Sequence, residues 1–136
     1  MYNHILVPIA LDHIDHANES LEVARRLLND DGTITMINVI EDIPAFAETY
    51  LPDGALNQNE ANAHDMLDSF SKSEGHGYAA HVVHGKPSLA ILEYAQNNGS
   101  DCIIIASHKP GLEDYFIGST ASRVVRHAKC CVHVLR

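Results

Sequence analysis

The loop from Ala106 to Ser119 carries the residues best suited to chemistry. The polar and small residues at its two ends are Ser107, His108, Lys109, Gly118 and Ser119, and Thr120 follows directly. A helix that starts at the end of such a loop presents free backbone N–H groups and the positive end of its dipole, and both attract phosphate. Hydroxyl groups can donate to phosphate oxygens, glycine lets the backbone approach closely, and lysine adds positive charge. The pattern predicts an anion-binding loop.

The same residues also have a simpler interpretation, in which Gly118 turns the chain and Ser119 caps the helix. The sequence contains neither a Walker A motif nor Gly-x-Gly-x-x-Gly, so two common nucleotide signatures are absent. His108 is the only candidate base near the loop, and it could equally bind a phosphate or cap a turn. We therefore assign no catalytic residue from the sequence.

Composition restricts the partners that the chain could bind. Its 136 residues fit one domain, residues 1–136, and the net charge of −9 opposes binding to nucleic acid or to an anionic membrane surface. No apolar segment approaches the roughly 20 residues that cross a bilayer, and the chain does not begin like a signal peptide, so we predict a cytoplasmic protein. Residues 101–136 nevertheless carry five Lys or Arg against three acids, which makes this part the best place for an anion.

Histidines and cysteines give little indication of a metal site. The ten histidines include His13 and His16, which could share one face of a helix, but no Cys-x2-Cys pair or His-x3-His pair with a supporting acid accompanies them. The three cysteines include the adjacent pair Cys130 and Cys131, which are poorly placed to bond to each other, so we expect reduced thiols. The sequence predicts no metal held by the protein's own side chains.

Apolar runs alternate with segments of helical spacing along the whole chain. The predicted strands are Ile5–Ile9, Thr33–Ile40, Tyr78–His84, Cys102–Ala106 and Cys131–Leu135. Helical spacing runs from Ala17, from Ala63 to Phe70, from Pro87 and from Ser119, and residues 41–54 form a long loop or a short irregular helix.

This order predicts an α/β domain with a five-stranded parallel sheet and helices on both faces. Cys102–Ala106 is the most apolar strand, so we place it at the centre of the sheet, and we place Cys131–Leu135 at an edge. Ligands bind beyond the carboxyl ends of such strands, which here means after Ile9, Val39 and Ala106.

Several motifs occur in an order and spacing that resemble the universal stress protein family over nearly the whole chain. They are Ile5-Leu6-Val7-Pro8, Asn38-Val39-Ile40, Gly85-Lys86-Pro87, Ile103 to His108, Gly118-Ser119 and Val124 to Ala128. The resemblance implies a Rossmann-like fold similar to the adenine nucleotide alpha hydrolases. It also implies an ATP site that uses a G-x2-G-x9-G-(S/T) loop after the fourth strand.

Matching that loop residue by residue identifies the expected nucleotide contacts. Ala106 takes the first glycine position and Lys109 the second, and one residue fewer than usual separates Lys109 from the closing Gly118-Ser119. Many members have an acid just after the first strand, where this chain has Ala10, and the nearest acid is Asp12. The expected contacts are Pro8, Ile9, Val39, Ala106, Ser107, His108, Lys109, Gly118, Ser119 and Thr120.

The resemblance implies a homodimer, joined through Cys131–Leu135, that binds ATP or a related adenine nucleotide and acts as a stress-response regulatory module with slow hydrolysis at most. Magnesium would be brought by the nucleotide. A second hypothesis is a family member without nucleotide that acts only through protein partners. A third is an ATPase that uses His108, in which His108→Ala would abolish phosphate release.

Overall fold

A computed structural model describes residues 1–74, 78–107 and 117–136. The strands are β1 (Tyr2–Pro8), β2 (Leu28–Ile40), β3 (Tyr78–His84), β4 (Cys102–Ala106) and β5 (Cys131–Leu135). The helices are α1 (Ile14–Leu27), α2 (Ala45–Glu48), α3 (Ala55–Glu74), α4 (Pro87–Asn97) and α5 (Ser119–His127). The bounds predicted for β3, β4 and β5 are confirmed, as is a short helix within residues 41–54.

The five strands form one parallel sheet in the order β3-β2-β1-β4-β5. The predicted parallel sheet and the edge position of β5 are therefore confirmed. The prediction that Cys102–Ala106 lies at the centre is wrong, because β1 takes that place and β4 lies between β1 and β5. Helices cover both strands on two faces, so the higher apolar content of β4 did not identify the central strand.

The first helix and the second strand differ from their predicted bounds. Helix α1 begins at Ile14, three residues before Ala17, and β2 begins at Leu28 instead of Thr33. Leu28 pairs with Tyr2, and the register then shifts before His4 meets Thr33. The polar residues 29–32 are typical of a helix stop, but they form an irregular start to the strand.

Helices cover both faces of the sheet and divide the core in two. On one face, Ile5, Val7 and Ile34 pack with α1 and α3, and on the other Leu6 and Ile103 pack with α4 and α5. Alternate residues of β1 thus enter different halves of the core, as the pleat of a strand requires. In the described parts of the chain, no helix is both long and apolar enough to span a membrane.

Candidate functional site

A pocket of about 340 Å³ opens at the carboxyl ends of β1, β2 and β4. It lies where the strand order reverses, because the chain moves from β1 outward to β3 and then returns to add β4 and β5 on the other side. Its lining residues are Pro8, Ile9, Ala10, Leu11, Asp12, His13, His16, Ala17, Ile37, Asn38, Val39, Pro87, Ile91, Ile105, Ala106 and Thr120. The structure therefore brings together the three strand ends that the sequence predicted to converge.

The floor of the pocket is fixed by contacts between β2 and the segment that follows β1. The backbone N–H of Ile9 donates to the carbonyl oxygen of Ile37 at 2.7 Å. The Asn38 side chain donates from Nδ2 to the carbonyl oxygen of Ile9 at 2.8 Å, just past the end of β1. Ile9 is only 4% exposed, so these bonds hold an apolar wall in place as the chain leaves the sheet.

Three helices begin at the rim of the pocket. Residues from the first turns of α1, α4 and α5 line it, represented by His16, Pro87 and Thr120. None of the three helices has a hydrogen bond from its N-cap side chain. The positive ends of three helix dipoles and their first N–H groups therefore favour an anionic group at this rim.

The two ends of the loop between β4 and α5 meet beside the pocket. Ser107 is 8% exposed, and its Oγ accepts a hydrogen bond from the backbone N–H of Gly118 at 3.2 Å. The N–H of Ser107 donates to the carbonyl oxygen of Leu135 at 2.8 Å, and this hydrogen bond links Ser107 to β5. The base of the loop is thus anchored to the sheet on one side and to the start of α5 on the other.

The expectation that Ser119 caps helix α5 is wrong. Gly118 occupies the N-cap position, and Ser119 is the first residue of the helix, with an exposed side chain. A Cβ atom built on Gly118 would find nothing within 4 Å among the described residues. The serine hydroxyl is therefore not used for capping, and none of the described residues occupies the space beside the Gly118 backbone.

The mouth of the pocket carries one carboxylate and two imidazoles. Asp12 Oδ2 lies 3.6 Å from His13 Nε2, and the rings of His13 and His16 are 6.1 Å apart between centroids. His16 also lies 3.5 Å from the carboxylate of Glu19. Among the described residues, no group of three or more His, Cys, Asp or Glu side chains is arranged to hold a metal ion.

The predicted contacts fall into three groups. Five of them line the pocket, namely Pro8, Ile9, Val39, Ala106 and Thr120. Ser107, Gly118 and Ser119 lie at the base of the loop, outside the lining. His108 and Lys109 lie outside the described residues.

Sequence reasoning did not assign several residues of this pocket. Asn38 is one of them. Its position among the last residues of β2 is the sequence signal that could have identified it. His13 and His16 were considered only as metal ligands, and here they belong to the mouth. Pro87 and Ile91 reach the pocket because α4 begins directly after β3 on the same side of the sheet.

Comparison with known proteins identifies the family and the fold of this chain. A profile of the universal stress protein family matches residues 1–136. The chain belongs to the universal stress protein family. It is 29% identical over 143 residues to universal stress protein A homolog 2 of Coxiella burnetii, covering 99% of this chain and 95% of that relative.

Solved structures share the fold. The structure of hypothetical protein MJ0577 has a TM-score of 0.80 at 23% identity and covers 99% of this chain and 96% of its own. Two more distant members were solved with ligands. One, from Archaeoglobus fulgidus, is in complex with dAMP, with a TM-score of 0.62, 16% identity and coverage of 99% and 98%. Another is in complex with cAMP, with a TM-score of 0.57, 19% identity and coverage of 99% and 97%.

Proposed function

We propose that this universal stress protein binds ATP or a related adenine nucleotide in the pocket at the ends of β1, β2 and β4. In this proposal the bound nucleotide makes the protein a stress-response regulatory module, with slow hydrolysis at most. The observation that carries the proposal is an apolar pocket with three helix N-termini at its rim. An adenine nucleotide suits both features, because the faces of its aromatic base pack against apolar side chains while its phosphates are anionic.

The apolar side of the pocket suits the base. Its volume of about 340 Å³ falls within the range of small-molecule sites, which begins near 300 Å³. Ile9, Ile37, Ile91 and Ile105 supply branched apolar side chains, and the backbone of Val39 is the group we propose for the adenine edge. The complexes of two relatives with dAMP and cAMP support an adenine nucleotide as the class of ligand.

The start of α5 suits the phosphates. Thr120 lines the pocket, Ser119 presents an exposed hydroxyl one residue earlier, and the space beside Gly118 lets a phosphate oxygen approach the backbone. Lys109 and His108 complete the proposed phosphate contacts, with Lys109 supplying positive charge. We propose that magnesium is brought by the nucleotide, and we assign no protein ligand to it.

The proposed assembly is a homodimer joined through β5. This strand lies at an edge of the sheet, where its outer backbone groups have no neighbouring strand among the described residues. Pairing with a second copy would satisfy those groups.

Titration calorimetry with ATP and magnesium tests the site. We expect saturable binding at millimolar nucleotide or below, and we expect Gly118→Val to abolish it, because the valine side chain would occupy the space left for phosphate. Asn97→Val is the matched control, since it introduces the same side chain at an exposed position at the far end of α4. Absence of binding, or unchanged binding by Gly118→Val, would overturn the proposed site.

The ultraviolet spectrum of the purified protein distinguishes this proposal from a family member that acts only through protein partners. Co-purified nucleotide would raise the absorbance near 260 nm, and denaturation followed by filtration would remove it. A protein that shows neither this absorbance nor binding by calorimetry would favour the partner-only function.

A further inference from the structure

Two cysteines on neighbouring strands lie opposite each other at the end of the sheet far from the pocket. Cys102 opens β4 and Cys131 opens β5, and the two residues are partners in the register of this parallel pair. Register partners on adjacent strands point to the same face of a sheet. Adjacent strands are about 4.8 Å apart, and a disulfide joins Cα atoms that are roughly 4.4–6.8 Å apart. The backbone therefore already holds the two residues at a separation that a disulfide can bridge.

The two thiols differ in their access to solvent. Cys102 is 1% exposed and belongs to the core on the α1 and α3 face, whereas Cys131 is exposed. Burial raises the pKa of the Cys102 thiol to about 12, so it remains protonated at neutral pH. Cys131 is thus the thiol that an oxidant meets first, and Cys102 lies behind it as a protected partner.

The hydroxyl of Tyr2 joins this pair from β1. A hydrogen bond with the Cys131 side chain raises the pKa of Tyr2 to about 12, and the nearby Cys102 thiol and Asp101 carboxylate act in the same direction. Tyr2 packs against the same half of the core as Cys102. Tyr2 therefore lies on the face of the sheet that Cys102 and Cys131 share.

The third cysteine occupies a different environment. Cys130 is half-buried and packs with the α4 and α5 half of the core, on the opposite face of the sheet. It directly precedes Cys131, and adjacent cysteines seldom form a disulfide because the backbone between them would be strained. Cys130 is therefore a natural control within the same chain.

We propose that Cys131 and Cys102 form an oxidation site, in which a peroxide oxidises Cys131 and Cys102 then closes a disulfide between β5 and β4. The site is independent of the proposed nucleotide pocket. Pairing of β5 with a second copy would use the outer backbone groups of that strand. It would not cover the face of the sheet on which the two cysteine side chains lie.

The oxidation proceeds in two steps. The Cys131 thiolate attacks one oxygen of the peroxide, an S–O bond forms and the O–O bond breaks, and the departing oxygen takes up a proton as water or an alcohol. The Cys131 sulfur is oxidised by two electrons to a sulfenic acid and the peroxide is reduced. Cys102 then loses its proton, its sulfur attacks the Cys131 sulfur, and the S–O bond breaks with release of the hydroxyl as water. A dithiol reductant restores both thiols.

The test is peptide mapping after treatment of the full reduced chain with hydrogen peroxide and alkylation of the remaining thiols. Trypsin separates Cys102 from Cys131 because Arg123, Arg126 and Lys129 lie between them. We expect a cross-linked peptide pair with a loss of about 2 Da, which dithiothreitol reverses. Since Cys130 and Cys131 share one tryptic peptide, Cys130→Ser assigns the bond, and we expect this variant to form the same cross-link.

Trapping the sulfenic acid with dimedone tests the order of the steps. We expect Cys102→Ala to accumulate the adduct at Cys131 by at least tenfold over the wild type, because the resolving thiol is missing. Cys131→Ser alters an exposed side chain, keeps the buried core intact and should lose both the adduct and the cross-link. A cross-link that needs Cys130, an adduct first formed on Cys102, or overoxidation of Cys131 without any cross-link in the wild type would overturn the proposal.

Discussion

The side chain of Ser107 and the backbone of Gly118 join the two ends of the loop between β4 and α5. The Gly118 N–H donates to the Ser107 Oγ at 3.2 Å, while the Ser107 N–H donates to Leu135 on β5. One small residue thereby connects the end of a buried strand, the edge strand and the N-cap of α5. The sequence predicted Ser107 as a nucleotide contact. In the structure Ser107 holds the start of α5, where the proposed phosphate contacts lie.

Replacement of Ser107 by alanine should therefore affect both stability and binding. Ser107→Ala removes the acceptor for the Gly118 N–H, and we expect a loss of about 1 kcal/mol in the free energy of unfolding. Because the start of α5 is then less firmly held, we also expect ATP to bind several-fold more weakly. Urea denaturation measures the first effect and titration calorimetry the second.

Ser119→Ala is the matched control for this pair of effects. The Ser119 side chain is exposed and makes no capping hydrogen bond, so the stability should stay within about 0.5 kcal/mol of the wild type. ATP binding should still weaken, since the proposed phosphate contact is lost. Equal losses of stability in the two variants would show that the Ser107 bond does not hold the helix start.

Asp12 offers a separate test of the proposed site, because its carboxylate could accept hydrogen bonds from the ribose hydroxyls of a bound nucleotide. Its carboxylate lies at the pocket mouth, two residues after Ala10, where the family resemblance implies an acid. If Asp12 binds the ribose hydroxyls, Asp12→Asn should weaken adenosine binding by about tenfold, because a charged hydrogen bond is worth about 1.5 kcal/mol. Calorimetry with adenosine and with ATP measures this effect.

The comparison of the two ligands identifies the role of Asp12. If its charge only repels the phosphates, Asp12→Asn should tighten ATP binding and leave adenosine unchanged, and this outcome would contradict the prediction. Asp15→Asn is the control, since it removes the same charge three residues later from an exposed position that does not line the pocket.

The order of strands and helices could be predicted from the sequence because it depends on local patterns. Apolar runs such as Tyr78–His84 and Cys131–Leu135 have bounds that the structure reproduces without change. Each run is delimited by turn residues or by a helix cap, so the residues next to a strand are enough to predict where it begins and ends. The central place of β1 instead depends on long-range pairing with both β2 and β4, which no local pattern encodes.

The approximate location of the site could be predicted from the sequence for a similar reason. A rule about parallel sheets identifies which strand ends meet, and it led to Ile9, Val39 and Ala106. The side chain of Asn38 was missed because its role depends on reaching back across the sheet to the carbonyl of Ile9. The cap of α5 was misassigned because serine is favoured at the N-cap, and only the backbone angles show that Gly118 takes that position.

The edge strand allows a test of the proposed dimer at a single backbone atom. Cys131 donates its N–H to Asp101 and Leu135 accepts from Ser107, so alternate residues of β5 direct their backbone groups towards β4. The N–H of Val134 therefore points to the open edge. Val134→Pro removes this donor, and loss of two symmetric hydrogen bonds of about 1 kcal/mol each should weaken a β5-mediated dimer roughly thirtyfold.

Light scattering across a dilution series measures the change. Val134→Ala is the control, because it loses the same apolar contacts but keeps the N–H and should remain dimeric at concentrations where Val134→Pro dissociates. A monomeric wild type, or equal dissociation by both variants, would contradict assembly through the edge of β5.

Burial of the Cys102 thiol predicts a loss of stability in alkali. Its pKa is raised by burial from 9.0 to about 12, so between these values the unfolded chain releases a proton that the folded chain retains. The contribution of Cys102 is complete below pH 9.0, and it falls by about 1.4 kcal/mol per pH unit above that value. Urea denaturation at about pH 8 and about pH 10.5 should reveal this slope in the wild type and in Cys131→Ser, whose buried thiol is intact. Cys102→Ala should be less stable at the lower pH and should lose this part of the slope, and an unchanged slope would mean that the buried thiol is not the group that titrates.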